Sequence, residues 1–128
     1  MSQESRAPRV LLVEDDPAVR RSLARLLASR FEVTMASDAL EAVELLSGPE
    51  FAVVVSDYQM PGEDGIWLLS QVQSRCPSAR RVLISGVGSK EFQRHVDSGL
   101  VHSFLQKPLG PEHFVDALEA VLRLPLGH

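Results

Sequence analysis

Cysteine is nearly absent from this chain of 128 residues: the single Cys76 excludes an internal disulfide framework and fits a reducing compartment. Long apolar runs are missing too. No stretch approaches the roughly 18 residues that cross a bilayer, and Met1 to Arg9 lacks the apolar segment of a secretory signal. There is no excess of positive charge, since 13 Lys+Arg stand against 17 Asp+Glu for a net charge of -4, an unpromising balance for gripping nucleic-acid phosphates. Neither an internal repeat nor a low-complexity segment is found. What remains, 45% apolar and 23% charged residues, is the composition of one globular domain. A chain of this length buries roughly two-thirds of its unfolded surface without staples. The expectation is a small acidic cytoplasmic domain with no direct contact to nucleic acid or membrane.

Residues 1–8 (MSQESRAP) are polar and without period, and read as a flexible N-terminal segment. Two patterns alternate after them. Short apolar, often β-branched runs at Val10–Val13, Phe31–Met35, Phe51–Val55, Val82–Ile84 and Phe104–Leu105 suit strands buried on both faces of a parallel sheet. Between them lie segments with helical spacing. Val19, Leu23, Leu26 and Leu27 share a face behind Asp16 as cap and Pro17 in the first turn. Asp38 with Glu41 resembles a capping box ahead of Val43 and Leu46, and Gly48-Pro49 stops that helix. Ile66, Leu69 and Val72 line a third helix. Phe92 and Val96 mark a shorter, more polar fourth ending near Gly99, and Phe114, Leu118, Val121 and Leu122 define a fifth. Five strands alternating with five helices predict an α/β sandwich with right-handed crossovers. The fourth unit carries the faintest signal: its strand run is short and its helix barely amphipathic.

In an open parallel sheet, ligands bind beyond the carboxyl ends of the strands. Glu14, Asp15 and Asp16 follow the first strand, Asp57 the third, Ser85-Gly86 the fourth and Lys107-Pro108 the fifth. Each has an ordinary explanation alone: Asp16 caps a helix, Asp57 and Ser85 form turns, and Lys107 is a solvated charge. Their convergence from four strands onto one edge is what independent accidents rarely produce. Clustered carboxylates repel one another unless a cation compensates. Hard divalent ions with oxygen ligands suit them, and Mg²⁺ takes one or two carboxylates while keeping waters that phosphate oxygens can displace. Lys107 adds a positive charge and Ser85 a donor for the same oxygens. Asp57 then has two roles open to it, metal ligand and carboxylate nucleophile.

Val10-Leu-Leu-Val-Glu-Asp-Asp-Pro17, Ser56-Asp57-Tyr-Gln-Met-Pro61-Gly62, Ile84-Ser85-Gly86 and Phe104-Leu-Gln-Lys107-Pro108 resemble the receiver domain of two-component response regulators. The resemblance covers residues 9–123, leaving 124–128 as a C-terminal tail or truncated linker. It implies a doubly wound, flavodoxin-like five-stranded parallel sheet of strand order 2-1-3-4-5 with five helices. It also implies a phospho-accepting signalling domain, not an enzyme, with weak autophosphatase chemistry. Asp57 would accept a phosphoryl group from a sensor histidine kinase or a histidine phosphotransfer protein. Asp15, Asp57 and the backbone carbonyl of Gln59 would hold Mg²⁺, with Mn²⁺ able to substitute, and Glu14 would act through a metal-bound water. Ser85 and Lys107 would hold the phosphoryl group. Ser85 and Phe104 would switch the surface of the fourth helix, fifth strand and fifth helix toward an output domain or target protein, or toward a homodimer through that surface.

Several residues depart from the family pattern. Glu14 replaces the more common Asp and preserves the metal site. Gly86 stands where Ala is usual and Val87-Gly88 follow, so a freer loop is expected. Phe104 has no hydroxyl, so switching must work by packing. Gln59 and Val87 occupy positions that tune phosphate lifetime in the family. His95, His102, His113 and His128 show no metal-ligand spacing and read as surface or partly packed, Cys76 as inert and Trp67 as packing. Gly86-Val87-Gly88 is too short for a nucleotide-binding loop. Two other readings stand beside the switch. One is a phosphorylation-independent interaction module with a vestigial acidic site. The other is a Mg²⁺-dependent phosphohydrolase working through an aspartyl phosphate, for which Tyr58-Gln59 supply no general acid.

Overall fold

The computed structural model describes residues 7–125. Most of the expected flexible start, the end of the tail and His128 lie outside the described residues. The chain runs β1 (Arg9–Val13), α1 (Pro17–Leu27), β2 (Glu32–Ala36), α2 (Ala39–Leu45), β3 (Val53–Asp57), α3 (Gly65–Arg75), β4 (Arg80–Ser85), a 3-10 turn (Ser89–Phe92), α4 (Gln93–Asp97), β5 (Ser103–Gln106) and α5 (Pro111–Leu122). The five strands form one parallel sheet in the expected order β2-β1-β3-β4-β5.

The central strands β1, β3 and β4 are buried on both faces, which is why they read as nearly unbroken apolar runs. Alternate side chains feed two cores. Val10, Leu12, Val53, Val55, Val82 and Ile84 pack against α1 and α5 through Leu23, Leu27, Phe114 and Leu118. Leu11, Val13, Val54 and Leu83 pack against α2 and α3 through Ala42, Leu46, Leu68 and Val72. Each large aliphatic side chain buried this way contributes about 1.5–3 kcal/mol.

Side-chain caps start three of the helices. Asp16 accepts hydrogen bonds from the Ala18 and Val19 amides (2.9 and 3.2 Å) with Pro17 in the first turn, as expected. Asp64 caps α3 by accepting from the Trp67 amide at 2.9 Å, a cap not foreseen in the sequence. At α2 Asp38 accepts from the Glu41 amide (2.8 Å), but the expected capping box is only half formed. Glu41 Oε1 reaches the amide and hydroxyl of Ser37 (2.7 and 2.9 Å), one residue earlier than the box requires.

Three boundaries differ most from the sequence reading. β3 starts two residues later than Phe51 and runs through Asp57, because Asp57 pairs in register with Ile84. Phe51 instead packs under the Arg9 guanidinium, whose carbon lies 5.0 Å from the ring centroid. α2 stops at Leu45, ahead of Gly48. β4, expected to be short, is the longest strand at six residues. Arg80 and Arg81 interrupt the apolar pattern there, yet both pair with β3. The fourth helix is as slight as expected: none of Gln93–Asp97 is buried, and the segment is anchored by Phe92 in the preceding turn.

Arg81 is a buried charge without an acidic partner among the described residues. Its guanidinium donates to the carbonyls of Leu100 (2.8 Å), Ala79 (2.9 Å), Gly99 (3.2 Å) and Pro77 (3.3 Å). Burial lowers its pKa, and the four acceptors compensate for lost water. Gly99 delivers its carbonyl from a left-handed backbone conformation, φ +87°, that other residues rarely adopt. The Arg81 amide donates to His102 Nδ1 at 3.0 Å, which requires that nitrogen to be unprotonated. Burial, then the charges of Arg81 and Arg80, push the His102 pKa below its usual value. Protonation therefore favours the unfolded chain. The contribution of His102 is complete above about pH 6.5 and is lost as pH falls below it. Urea denaturation across that range should show a shallower loss of stability on acidification in His102→Asn than in the wild type; equal slopes would contradict the assignment.

Candidate functional site

The strands end together. Val13 pairs with Ala36 and Ser56, Asp57 with Ile84, and Ser85 with Gln106, so the residues at these ends share one edge of the sheet. Backbone hydrogen bonds continue past the ladders and fix the next residues: the Glu14 amide to the Ala36 carbonyl (3.1 Å), Tyr58 to Ile84 (2.8 Å) and Lys107 to Ser85 (2.9 Å). Lys107 is followed by a cis peptide to Pro108.

This scaffold brings Glu14, Asp15 and Asp57 together. One carboxylate oxygen from each lies within 4.8 Å of the others. Lys107 Nζ is 2.9 Å from Asp57 Oδ1 and 3.7 Å from Glu14 Oε1. Glu14 and Asp57 are only 3% and 7% exposed. Glu14 Oε2 accepts from the Asp16 amide at 3.2 Å, while Oε1 is buried with no hydrogen-bond partner. Arg20, which the sequence did not single out, donates to the Glu14 carbonyl at 2.8 Å and steadies the loop from α1. Asp16 faces the helix it caps, so the ordinary reading of that residue holds.

Electrostatically the site is overloaded with negative charge. Burial pushes the Asp57 pKa up; the hydrogen bond and charge of Lys107 pull it back, and Asp15 pushes it up again. Glu14 is raised by burial as well, then by Asp57 and Asp15, against the Asp16 amide and Lys107. Burial works against the Lys107 ammonium, but Asp57 and Glu14 hold its pKa above the usual lysine value. Three carboxylates face one ammonium, and one buried oxygen, Glu14 Oε1, has only the Lys107 charge at 3.7 Å and no hydrogen bond among the described residues. An all-oxygen donor set with that deficit fits a hard divalent cation such as Mg²⁺.

The other expected residues surround this cluster. Ser85 is buried at the end of β4, where its Oγ accepts from the Val87 amide at 3.1 Å. Gln59 is exposed and lines an open cleft of about 450 Å³ with Tyr58, Met60, Pro61 and Asp64. Phe104 is half-buried and lies 5.1 Å, centroid to centroid, from Phe92, whose ring meets Tyr58 edge-on at 4.8 Å. A line of three aromatics thus joins the residue after Asp57 to β5. Trp67 and His102 are partly packed and His113 is exposed, as the sequence suggested, and Cys76 is partly packed as well.

Gly65 was missed. A Cβ there would sit 2.4 Å from the Asp57 carbonyl oxygen, 2.9 Å from Leu83 Cδ1 and 3.0 Å from Tyr58 Cα. The start of α3 presses directly on the backbone of Asp57. A glycine at a helical position just after the Asp64 cap, where it costs helix stability, was the available signal. An exposed helical Gly→Ala change stabilises by up to about 1 kcal/mol, but here overpacking dominates. Gly65→Ala should destabilise by about 1–3 kcal/mol in urea denaturation and weaken Mg²⁺ binding measured by Tyr58 and Trp67 fluorescence; a more stable variant would refute this contact.

The chain matches the response regulator receiver domain family over residues 10–119. It is 33% identical over 117 residues to protein PetR of Rhodobacter capsulatus, covering 91% of this chain and 49% of that protein. It is 34% identical over 116 residues to the sensor kinase CckA of Brucella abortus, covering 88% of this chain and 12% of that protein. It therefore spans half or less of the length of these curated relatives. Among solved structures, the non-phosphorylated receiver domain of HemR from Leptospira biflexa superposes with a TM-score of 0.82 at 29% identity, covering 94% of this chain and 98% of that one.

Proposed function

From the chain's membership in the response regulator receiver family, to which it belongs, we propose that Asp57 accepts a phosphoryl group from a phosphohistidine on a sensor histidine kinase or phosphotransfer protein. Receiver domains are signalling domains and not classical enzymes. The observation that carries the proposal is the buried Asp57 carboxylate, held 2.9 Å from the Lys107 ammonium within a cluster of acids at the strand ends. The Asp57 carboxylate attacks phosphorus, the P–N bond to the donor imidazole breaks, and the leaving nitrogen keeps the electron pair and takes up a proton. Lys107 balances the charge of the transferred group, and Ser85 donates its hydroxyl hydrogen to a phosphoryl oxygen. Asp15, Asp57 and the Gln59 carbonyl would hold Mg²⁺ or Mn²⁺, with Glu14 acting through a bound water. The ion supplies neutralisation of charge on the transferring oxygens. Slow hydrolysis of the aspartyl phosphate then resets the domain, at a rate tuned by Gln59 and Val87.

The new charge acts at a distance through packing. Ser85 leaves the Val87 amide for the phosphoryl group, and Phe104 shifts against Phe92, which holds the otherwise unburied α4. These supports favour α4, β5 and α5 as the switched surface, read by an output domain, a target protein or a second copy in a cytoplasmic setting. No helix among the described residues is long and apolar enough to cross a membrane.

Intact mass after incubation with acetyl phosphate tests the chemistry. A gain of one phosphoryl group that requires Mg²⁺ and disappears in Asp57→Ala is expected; no gain under any condition, with the fold intact by circular dichroism, would favour the constitutive interaction module. Phe92→Ala tests the coupling. That variant should still be phosphorylated, but phosphorylation should no longer change amide hydrogen exchange in residues 93–106; an undiminished response would remove Phe92 from the switch.

A further inference from the structure

β2 forms one edge of the sheet, at the opposite side from β5 and away from the α4–β5–α5 surface. α1 covers one sheet face there, and α2 covers the other, as the two separate cores show. The flanks of this edge have opposite character.

On the α1 side runs a groove of about 390 Å³ lined by Arg21, Ala24, Arg25, Ala28, Val33 and Met35. Ala24 and Ala28, one turn apart, keep its helix wall low, and Met35 is 44% exposed on its floor. Arg21 and Arg25 are exposed and make no ion pair among the described residues. α1 contains no acidic residue to neutralise them. On the α2 side, Leu40 is 64% exposed, the most exposed large apolar side chain among the described residues. Glu44 lies one turn beyond it and Glu41 beside it, both exposed, and α2 contains no basic residue. Val43 and Leu45 pack against the core, while Leu40 and Glu44, one turn apart, share an exposed stripe of α2.

A two-fold axis parallel to β2 and just outside it exchanges the sheet faces. It sets the α1 face of one copy beside the α2 face of the other, twice over, as an isologous contact requires. We propose that two copies of this chain associate across the β2 edge. Leu40 of each seats in the α1–β2 groove of the other, with Glu41 and Glu44 facing Arg21 and Arg25. The apolar contact supplies burial, and the charge pairs set the register. β1 separates the β2 edge from β3, so the association leaves Asp57 open to its phosphodonor.

Sedimentation equilibrium of the full chain over a concentration series tests this, with Arg25→Glu, Glu44→Arg and the double variant. Both positions are exposed, so the fold should persist, as circular dichroism would verify. The wild type should approach twice the monomer mass, less readily at high salt. Each single reversal should weaken self-association by about tenfold. The double variant should recover it, and so should an equimolar mixture of the two single variants, because opposite charges then meet at both contacts. A monomer at every concentration would overturn the proposal. Association indifferent to the single reversals, or not regained in the mixture, would overturn it too, by placing the contact elsewhere.

Discussion

Asp57 places a negative charge where little water reaches it, beside two further carboxylates, and much of the surrounding architecture serves to keep that charge in place. Lys107 is the only cation within bonding reach among the described residues. Its hydrogen bond lowers the cost of the buried carboxylate without cancelling it, since the Asp57 and Glu14 pKa values both remain raised. The site is thus left in want of positive charge, and a cation or a change in charge at Asp57 acts on it strongly. Low local dielectric amplifies either event.

That sensitivity is useful only if the backbone under it cannot relax freely. The register of β1, β3, β4 and β5 holds the strand ends level, and the contact of Gly65 with the Asp57 carbonyl clamps the turn from the side. The neighbourhood of α4 is built differently. No side chain of α4 is buried, and Phe92 secures it between Tyr58 and Phe104. Firm support at the charge thus adjoins a helix held mainly through Phe92.

Much of this was legible from residue order. The two-sided burial of the central strands shows as uninterrupted Val and Leu, and the caps at Asp16 and Asp38 show as acids ahead of helical periodicity. β4 was harder to read, because Arg80 and Arg81 look like loop residues until Arg81 is seen donating to four carbonyls. Nothing in a local window tells a buried arginine with backbone partners from a solvated one. Asp57 was expected just past its strand and proved to be its last residue, a difference that pairing with Ile84 decided.

Residue order by itself determined which elements form, in what sequence, and which chemical groups stand at the strand ends, because periodicity, β-branching and capping act between near neighbours. Only the tertiary structure decided that Glu14, Asp15, Asp57 and Lys107 meet within hydrogen-bonding and Coulombic range. It alone showed that Gly65 must lack a side chain, that three aromatics touch in a line, and that the β2 edge carries opposite charges on its two flanks. Those distances depend on strand register and on the packing of helices against both sheet faces, which are properties of contacts between residues far apart in the chain.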